Sequence, residues 1–473
     1  MRLRVERVLL VAAPAVAMAT VAVGLRLGAG GRLRAAVVFG APASAAGTGL
    51  AWQVIVFEED GRIRQPVALR MLEVTARADG RLAHWSGPTN DDGVAEILLD
   101  LPSVPELTVE VSADGELLAK GDVTVPELPR VQPEASWARF ARRDGAIGLD
   151  VAVLGQRVAS GFPASIWVRA SDAESHSPLS RVTVEPETDA SLTAVPLLAA
   201  TDSRGWAHIV ATPIGYGVAL MLHGLGTDGR RGDWAGALFA SPGAAQIVAR
   251  DRYAPDEQPT LEVVMPSLRT VAYVEIDDMR GRAWAAAVPL SPSGGMPRAS
   301  VRAPKLAPGL YWAVAASDPA AGAKLDAGTI ARPFFVAASD DRAVGFGLDS
   351  ECLPSGDSRR ISRVVEVCLA LAGATAVPRW TALDGFIARH ARDGHRRELG
   401  LAVALAAIVL AMLLEAALLL RAARVARERL RETTAYERDT LNARAGRVGG
   451  LAVALLVALL GFALIAAFLV RAA

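Results

Sequence analysis

The sequence predicts a mainly β protein in which tandem β-sandwich domains lie outside a membrane and three transmembrane helices hold them. The first observation is that three apolar stretches each approach the ~20 residues that a helix needs to cross the hydrocarbon core. They are Val8–Leu25, Leu399–Leu420 and Val448–Val470. The second is that residues 50–338 consist of short apolar runs separated by Gly and Pro turns, which is typical of sandwiches.

The N-terminal stretch has the pattern of a signal sequence. Met1–Arg7 carries three arginines, and the apolar run Val8–Leu25 follows directly. The A-x-A site at Ala43-Ser44-Ala45 lies far downstream, and the run is longer than a usual signal-peptide core. We therefore favour a signal anchor over residues 1–25, with a cleaved signal peptide as the alternative.

The loop between the last two apolar segments predicts the orientation. Basic residues mark cytoplasmic loops, and this loop, 421–447, contains eight arginines: 421, 424, 427, 429, 431, 438, 444 and 447. Four arginines before the second segment (389, 392, 396 and 397) argue mildly the other way. The denser charge of the short loop predicts a multi-pass protein of the cell (inner) membrane, with residues 50–397 on the periplasmic or extracellular side and the lipid bilayer as a partner.

Glu415 lies within the second transmembrane segment, 399–420. An intramembrane carboxylate is a functional candidate by default. It is also only six residues before Arg421, so pairing or snorkelling near the interface is the simpler explanation.

Net charge gives no indication of a nucleic-acid partner. Lys plus Arg and Asp plus Glu each total 50, so there is no basic excess to attract an anionic polymer. Only three of the basic residues are lysine (Lys120, Lys305 and Lys324). We interpret this bias, with the abundant Ala, Gly and Pro, as codon usage of a GC-rich bacterial genome.

The two cysteines, Cys352 and Cys368, lie close together before the second transmembrane segment. Outside the cytoplasm the environment permits a disulfide. Such a bridge would stabilise the fold by roughly 3 kcal/mol on the chain-entropy account. We predict that they pair, with two buried thiols as the alternative.

The region between the membrane segments divides into four parts. We predict β-sandwich modules at 50–125, 147–250 and 259–338, and a helical membrane-proximal region at 340–397. Within that region, Ser358–Leu371 and Thr381–Arg396 have helical patterns. In the first module, Asp-Gly pairs that suit tight hairpin turns occur at Asp60-Gly61, Asp79-Gly80, Asp92-Gly93 and Asp114-Gly115.

One turn pattern occurs twice. Thr89-Asn90-Asp91-Asp92-Gly93-Val94-Ala95 matches Thr201-Asp202-Ser203-Arg204-Gly205-Trp206-Ala207. We expect the Asn or Asp side chain to cap the local backbone and Gly93 or Gly205 to take the left-handed conformation before a strand. Upstream, Pro66–Ala76 and Pro163–Ala170 are candidate equivalent strands.

These turns, together with Leu306-Ala307-Pro308-Gly309-Leu310-Tyr311-Trp312, resemble macroglobulin-type and carboxypeptidase-regulatory-type modules, which are immunoglobulin-like β-sandwiches. The resemblance covers roughly residues 50–338. Macroglobulins can trap proteases through a thioester at a Cys-Gly-Glu-Gln type motif, but here Leu353 follows Cys352 and Leu369 follows Cys368. The resemblance therefore implies a structural or binding module.

Short motif matches have simple explanations. Gly224–Gly229 matches G-x-G-x-x-G, but no helix start follows it, so we expect a loop. Arg231-Gly232-Asp233 matches an adhesion tripeptide by chance. Asp277 and Asp278 indicate a hairpin turn, with a calcium pair as the less favoured reading.

The sequence contains no H-E-x-x-H, G-x-S-x-G or P-loop pattern. We expect no enzyme activity, cofactor or metal. The favoured function is a scaffold or binding subunit of an envelope complex with a protein partner. The alternatives are a sensory subunit that signals through the hairpin at 399–470 and, last, an enzyme with a scattered site.

Overall fold

The computed structural model describes residues 33–338 and 362–432, together with Ala19 and Ala22. The positions not described within those ranges are 45–49, 61–62, 102–103, 127–136, 139–140, 156, 188–191, 216, 242, 267–268, 294, 318, 320–329 and 374–378. The predicted membrane segments at 8–25 (apart from Ala19 and Ala22) and 448–470 lie outside the described residues. The described chain is mainly β, with six sheets and two helices.

The chain forms two compact units. The sandwich unit comprises Val37–Ile55 and Ala68–Leu383, and the helix unit comprises the other described residues.

The first sandwich consists of two sheets. One has the order β28-β1-β2-β3, with β6 also paired to β2, and the other has the order β5-β4-β7-β8. Their strands are β1 (Leu33–Pro42), β2 (Leu50–Asp60), β3 (Ile63–Pro66), β4 (Leu72–Ala78), β5 (Arg81–Gly87), β6 (Val94–Leu99), β7 (Glu106–Ala113), β8 (Glu116–Thr124) and β28 (Trp380–Asp384). Asp79-Gly80 and Asp114-Gly115 have positive φ at both residues and join β4 to β5 and β7 to β8, as hairpin turns require.

Two strands of this sandwich come from outside the predicted module 50–125. β1 precedes it, and β28 comes from the segment Thr381–Arg396 that was expected to be helical. The prediction of helix for residues 381–384 is therefore wrong, because these residues satisfy their backbone groups by sheet pairing with β1.

The second sandwich has the sheets β10-β12-β16-β14 and β11-β18-β17-β13-β15, with β9 paired to β18. Its strands are β9 (Arg142–Gly145), β10 (Ile147–Val153), β11 (Val158–Ala159), β12 (Ala164–Asp172), β13 (Thr183–Glu187), β14 (Leu192–Val195), β15 (Ala199–Ala200), β16 (Trp206–Pro213), β17 (Gly217–Leu225) and β18 (Arg231–Ser241). Buried side chains from both sheets, among them Ile166, Leu222 and Trp234, form one core.

The third sandwich has the sheets β19-β21-β25-β24 and β20-β27-β26-β22-β23. Its strands are β19 (Gln246–Val248), β20 (Arg252–Tyr253), β21 (Thr260–Val264), β22 (Val271–Asp277), β23 (Arg282–Pro289), β24 (Ser291–Ser293), β25 (Met296–Arg302), β26 (Gly309–Ala316) and β27 (Ile330–Val336). At the entry to β26 the hydroxyl of Tyr311 donates to the carbonyl of Ala307 over 2.8 Å. This contact is similar to the tyrosine corner of immunoglobulin-like sandwiches.

Two predicted module starts, at residues 147 and 259, fall after strands that pair with strands of the same module. β19 and β20 precede the predicted start of the third module at residue 259, yet they pair with β21 and β27. β9 precedes the predicted start of the second module at residue 147 and pairs with β18.

The repeated turn also shows which strands are equivalent. β2 pairs with β6 and β12 pairs with β16, and in each case the second strand directly follows the turn. Pro163–Ala170 is therefore equivalent to the β2 region and not, as expected, to Pro66–Ala76.

Helix α1 (Ser362–Leu371) belongs to the sandwich unit. Val367, Leu369 and Leu371 are buried with side chains of the second and third sandwiches. The sequence analysis predicted this helix in a membrane-proximal region, whereas its apolar side chains pack in the core between the second and third sandwiches. Cys368 lies in the same core, and because Cys352 lies outside the described residues, their disulfide stays a prediction.

Helix α2 (Gly385–Glu432) is continuous over 48 residues. Its part Glu398–Val425 is long and apolar enough to cross a membrane, with a mean hydropathy of 2.7. It is the one such helix among the described residues. The predicted loop at 421–447 is helical as far as Glu432, and residues 433–447 lie outside the described residues.

Trp312 tests how strongly the third sandwich depends on its packing. Its side chain is fully buried against the second sandwich and α1. Trp312→Ala should lower the free energy of unfolding of the full chain in detergent by about 3–5 kcal/mol, because a large cavity remains. Leu198→Ala, at an exposed side chain, is the control and should change it by less than about 0.5 kcal/mol. Equal effects of the two variants in denaturant titrations would contradict this packing.

Candidate functional site

The site is built on the sheet β20-β27-β26-β22-β23, which we call the central sheet. Side chains alternate between the two faces of a strand. Val274 and Ile276 of β22 point into the third sandwich's own core. Tyr273, Glu275 and Asp277 therefore lie on the other, outer face.

The outer face has an apolar part and a charged part. The register pairs Glu275 with Val314 and Asp277 with Trp312, so β26 contributes apolar neighbours to the same face. Leu310, Trp312 and Val314 pack with Trp167 and Trp206 of the second sandwich and with α1. Both faces of the central sheet are thus buried at β22, β26 and β27, whereas the edge strand β23 is mostly half-buried. Buried charged side chains on this sheet therefore need partners within the protein.

Two charged side chains of the central sheet, Glu275 and Arg282, form a buried charge cluster with Glu96 and Arg379. Arg282 pairs with Glu96 of the first sandwich and lies 3.8 Å from a carboxylate oxygen of Glu275. Arg379, just before β28, pairs with the same oxygen of Glu275. Gln53 on β2 donates from Nε2 to Glu96 Oε1 over 2.6 Å.

The cluster is electrically balanced. Burial lowers the pKa of Arg282 to about 10 and that of Arg379 to about 10, so both remain protonated at neutral pH. Two guanidinium groups face two carboxylates, and the four side chains are at most 12% exposed. Removing one partner would leave an uncompensated buried charge, which is far more costly than removing a matched pair.

A small pocket adjoins the cluster. It is lined by Gln53, Glu96, Tyr273, Val274, Glu275, Val314, Pro319 and Arg379. Residues from the first sandwich, the third sandwich and the segment before β28 therefore meet around one polar space.

The first copy of the repeated turn contacts the same face. The Tyr273 hydroxyl donates to Asp92 Oδ2 and accepts a bond from Asn90 Nδ2 over 3.4 Å. The turn thus anchors the first sandwich to the third, beside the charge cluster.

Both copies of the turn share one hydrogen-bond pattern. Asn90 Oδ1 accepts from the backbone amides of Asp92 and Val94, and Asp202 Oδ1 accepts from those of Arg204 and Trp206. Thr89 and Thr201 are buried, and each accepts a backbone amide through its hydroxyl, from Leu69 and Val182 respectively. Gly93 and Gly205 have φ of +70° and +82°, which glycine adopts without strain.

The second copy also leads to the central sheet. Trp206 follows Gly205, stacks on Trp137 with ring centroids 5.7 Å apart, and packs in the core that includes Trp312. The same turn therefore positions a hydrogen-bonded contact in one sandwich and an aromatic contact in the next.

Asp277 is a second buried acid on the outer face of β22, and no ion pair is recorded for it among the described residues. Its Oδ1 has no hydrogen-bond partner. Burial, with a smaller contribution from the Asp278 charge, raises the pKa of Asp277 well above its usual value. Asp278 begins the predicted hairpin turn, where its Oδ1 accepts the amides of Arg280 and Gly281.

The remaining sequence motifs have structural positions. The G-x-G-x-x-G match begins with the last two residues of β17 and continues into the turn before β18. Arg231-Gly232-Asp233 lies within β18, paired to β17 and, at Gly232 and Asp233, to β9. Glu415 lies on α2, and its side chain is outside what the structure describes.

Sequence reasoning missed the charge cluster. Glu275 was interpreted as part of an ordinary strand. A carboxylate within the apolar run Val271–Ile276, however, indicates a buried charge that needs a partner. Arg379 gave no comparable signal. In the part of the chain that the structure describes, no group of three His, Cys, Asp or Glu side chains is placed to hold a metal ion.

No protein-family model matches the chain, and no curated protein matches it. Among solved structures it is similar to invasin, a bacterial integrin-binding protein, at 14% identity over 64% of this chain and 60% of that chain, with a TM-score of 0.17. It is also similar to the native conformation of Escherichia coli alpha-2-macroglobulin, at 11% identity over 66% of this chain and 23% of that one (TM-score 0.17). A third is the Escherichia coli adhesin FdeC, at 16% identity over 65% of this chain and 99% of that one (TM-score 0.16). At these TM-scores the likenesses carry no argument about function.

A double-mutant cycle on Arg379 and Glu275 tests the cluster. Arg379→Met should destabilise the full chain by about 3–5 kcal/mol, because Glu275 loses a buried partner. The double variant with Glu275→Met retains the matched pair of Arg282 and Glu96, so its cost should fall short of the sum by about 1–3 kcal/mol. The exposed pair Lys120 and Glu110, 2.7 Å apart, is the matched control and should show coupling below about 1 kcal/mol. Additive effects at Arg379 and Glu275 would refute the cluster.

Asp277→Asn should stabilise the protein at neutral pH by about 1–3 kcal/mol, because Oδ1 of this buried carboxyl has no hydrogen-bond partner and burying it in that state is costly. The carboxyl of Asp277 has a pKa above 3.8 in the folded chain and near 3.8 when unfolded. Its contribution to the free energy of unfolding therefore falls as the pH rises from about 3.8 to the folded pKa. In denaturant titrations between pH 4 and 8, the free energy of unfolding of Asp277→Asn should exceed that of the wild type by an amount that grows with pH. A stability gain that does not change with pH would contradict the raised pKa of Asp277. The control is Asp256→Asn at an exposed side chain, which should not raise the free energy of unfolding.

Proposed function

We propose that this chain is a non-enzymatic, membrane-anchored envelope protein whose β-sandwiches act as a scaffold or binding subunit of a membrane complex. The observation that carries the proposal is the buried charge cluster joining the first and third sandwiches. Because its acidic and basic side chains neutralise one another, the cluster is better suited to holding the sandwiches in a fixed arrangement than to catalysis. From the fold class we infer that the outer surfaces of the sandwiches bind the partner.

The way the chain enters and leaves the first sandwich supports membrane anchoring. β1 and β28 are neighbours in one sheet. β1 begins at Leu33, soon after the apolar stretch at 8–25, and β28 ends at Asp384, directly before α2. β1 and β28 are thus each close in sequence to a predicted membrane segment.

The orientation rests on the end of α2. The apolar part Glu398–Val425 is followed by Arg427, Arg429 and Arg431 on the same helix. By the positive-inside rule we place residues 421–447 in the cytoplasm and the sandwiches outside it. With the stretches at 8–25 and 448–470 as further spans, the proposed location is the inner membrane.

A second candidate, a sensory subunit, is favoured by one contact. Arg379 lies six residues before α2 and pairs with Glu275 of the third sandwich. A ligand that disturbs the cluster would therefore act on the segment that leads into the helix. Helix α2 is continuous to Glu432, so a displacement at its start could reach the basic loop.

The first test is purification of the tagged full chain from native membranes in mild detergent. We expect a stoichiometric protein partner to co-purify, because a scaffold is defined by what it holds. A variant with Arg427, Arg429 and Arg431 changed to Gln is the matched comparison. It should retain the partner if the sandwiches bind it.

A solitary protein in this purification would refute the scaffold. Loss of a cellular response in the Gln variant with the partner retained would favour the sensory subunit over the scaffold. If the Gln variant retained both the partner and the cellular response, signalling through these arginines would be excluded.

A further inference from the structure

The pocket beside the charge cluster contains an unusual concentration of incomplete hydrogen bonding. Eleven buried side-chain nitrogen and oxygen atoms lack a hydrogen-bond partner in the described part of the chain. Three of them belong to residues that line this one pocket: Gln53 Oε1, Glu275 Oε1 and Arg379 Nε. All three side chains are more than nine-tenths buried.

The three atoms are complementary to a single molecule. Gln53 Oε1 and Glu275 Oε1 are acceptors, and Arg379 Nε carries a hydrogen to donate. The orientation of the Gln53 amide is set by its other end, because Nε2 donates to Glu96, which only accepts when ionised. A guest with two donors and one acceptor would satisfy all three at once, and water has these groups.

The space also matches one water molecule. The pocket offers room for the centre of a water-sized molecule over about 10 Å³, close to the lower limit for holding one water. Apolar cavities stay empty, whereas a polar cavity with two to four partners retains its water.

We propose that this pocket is a binding site for one ordered water molecule. The water donates to Gln53 Oε1 and Glu275 Oε1 and accepts from Arg379 Nε. It thereby bridges β2 of the first sandwich, β22 of the third and the segment before β28. This assignment is independent of the proposed function, because it concerns only how the cluster is completed.

The test is an experimental structure of the full chain in detergent at a resolution that shows ordered water. We expect one spherical density peak at hydrogen-bond distance, about 2.6–3.2 Å, from all three atoms. An empty pocket with Arg379 Nε bonded directly to Gln53 would overturn the proposal. So would elongated density from a larger molecule.

Two variants at the pocket sharpen the test. Gln53→Met keeps the side-chain length but removes one acceptor, so the occupancy of the peak should fall. Tyr273→Phe is the matched control, because the Tyr273 hydroxyl bonds to Asp92 and Asn90, and the peak should persist. A peak unchanged in Gln53→Met would remove Gln53 from the site, and the assignment would fail. If Gln53→Met does not fold, the wild-type density decides alone.

Discussion

Burial of the central sheet on both faces is the constraint on which the rest of the sandwich unit depends. One face forms the third sandwich's own core. The other packs its apolar half on the second sandwich and α1, and directs its charged half to the first sandwich. A sheet buried on both faces offers no polar side to solvent, so each charge on it must find a partner within the protein. The third sandwich therefore contacts both of the others within the sandwich unit.

We infer that the charge cluster contributes more to the specific packing of that unit than to its stability. Apolar side chains of similar volume would often be as stable as buried ions, and a role in fixing geometry is the better-attested use of such ions. Here Arg282 and Arg379 converge on Glu275. The cluster thus defines where the first sandwich and the segment before α2 lie on the third. If the proposed scaffold function is right, this fixed geometry is the property that the function requires.

Local patterns predicted much of the fold, and long-range contacts account for what they missed. Alternating apolar residues and the pairs Asp79-Gly80 and Asp114-Gly115 indicated sandwiches because strands and hairpins leave short-range signals. The pairing of β1 with β28 joins segments from opposite ends of the chain, and no local pattern records it. The charge cluster was missed for the same reason, since Glu96, Glu275 and Arg379 become partners only through packing. The repeated turn was predicted only in part. Its backbone geometry follows from the residue types Thr, Asn or Asp, and Gly in its own sequence, whereas its contact with Tyr273 depends on long-range packing.

Native-state hydrogen exchange of the full chain in detergent, followed by mass spectrometry at increasing denaturant, tests the central claim most directly. Cooperative units reveal themselves as sets of amides that open with one free energy. The account predicts that the slowest amides of β4, β12 and β26, one strand from each sandwich, exchange with the same free energy and the same denaturant dependence. If the amides of β4 opened at lower free energy while β26 stayed protected, the first sandwich would be an independent module, and the central sheet would not unite the three.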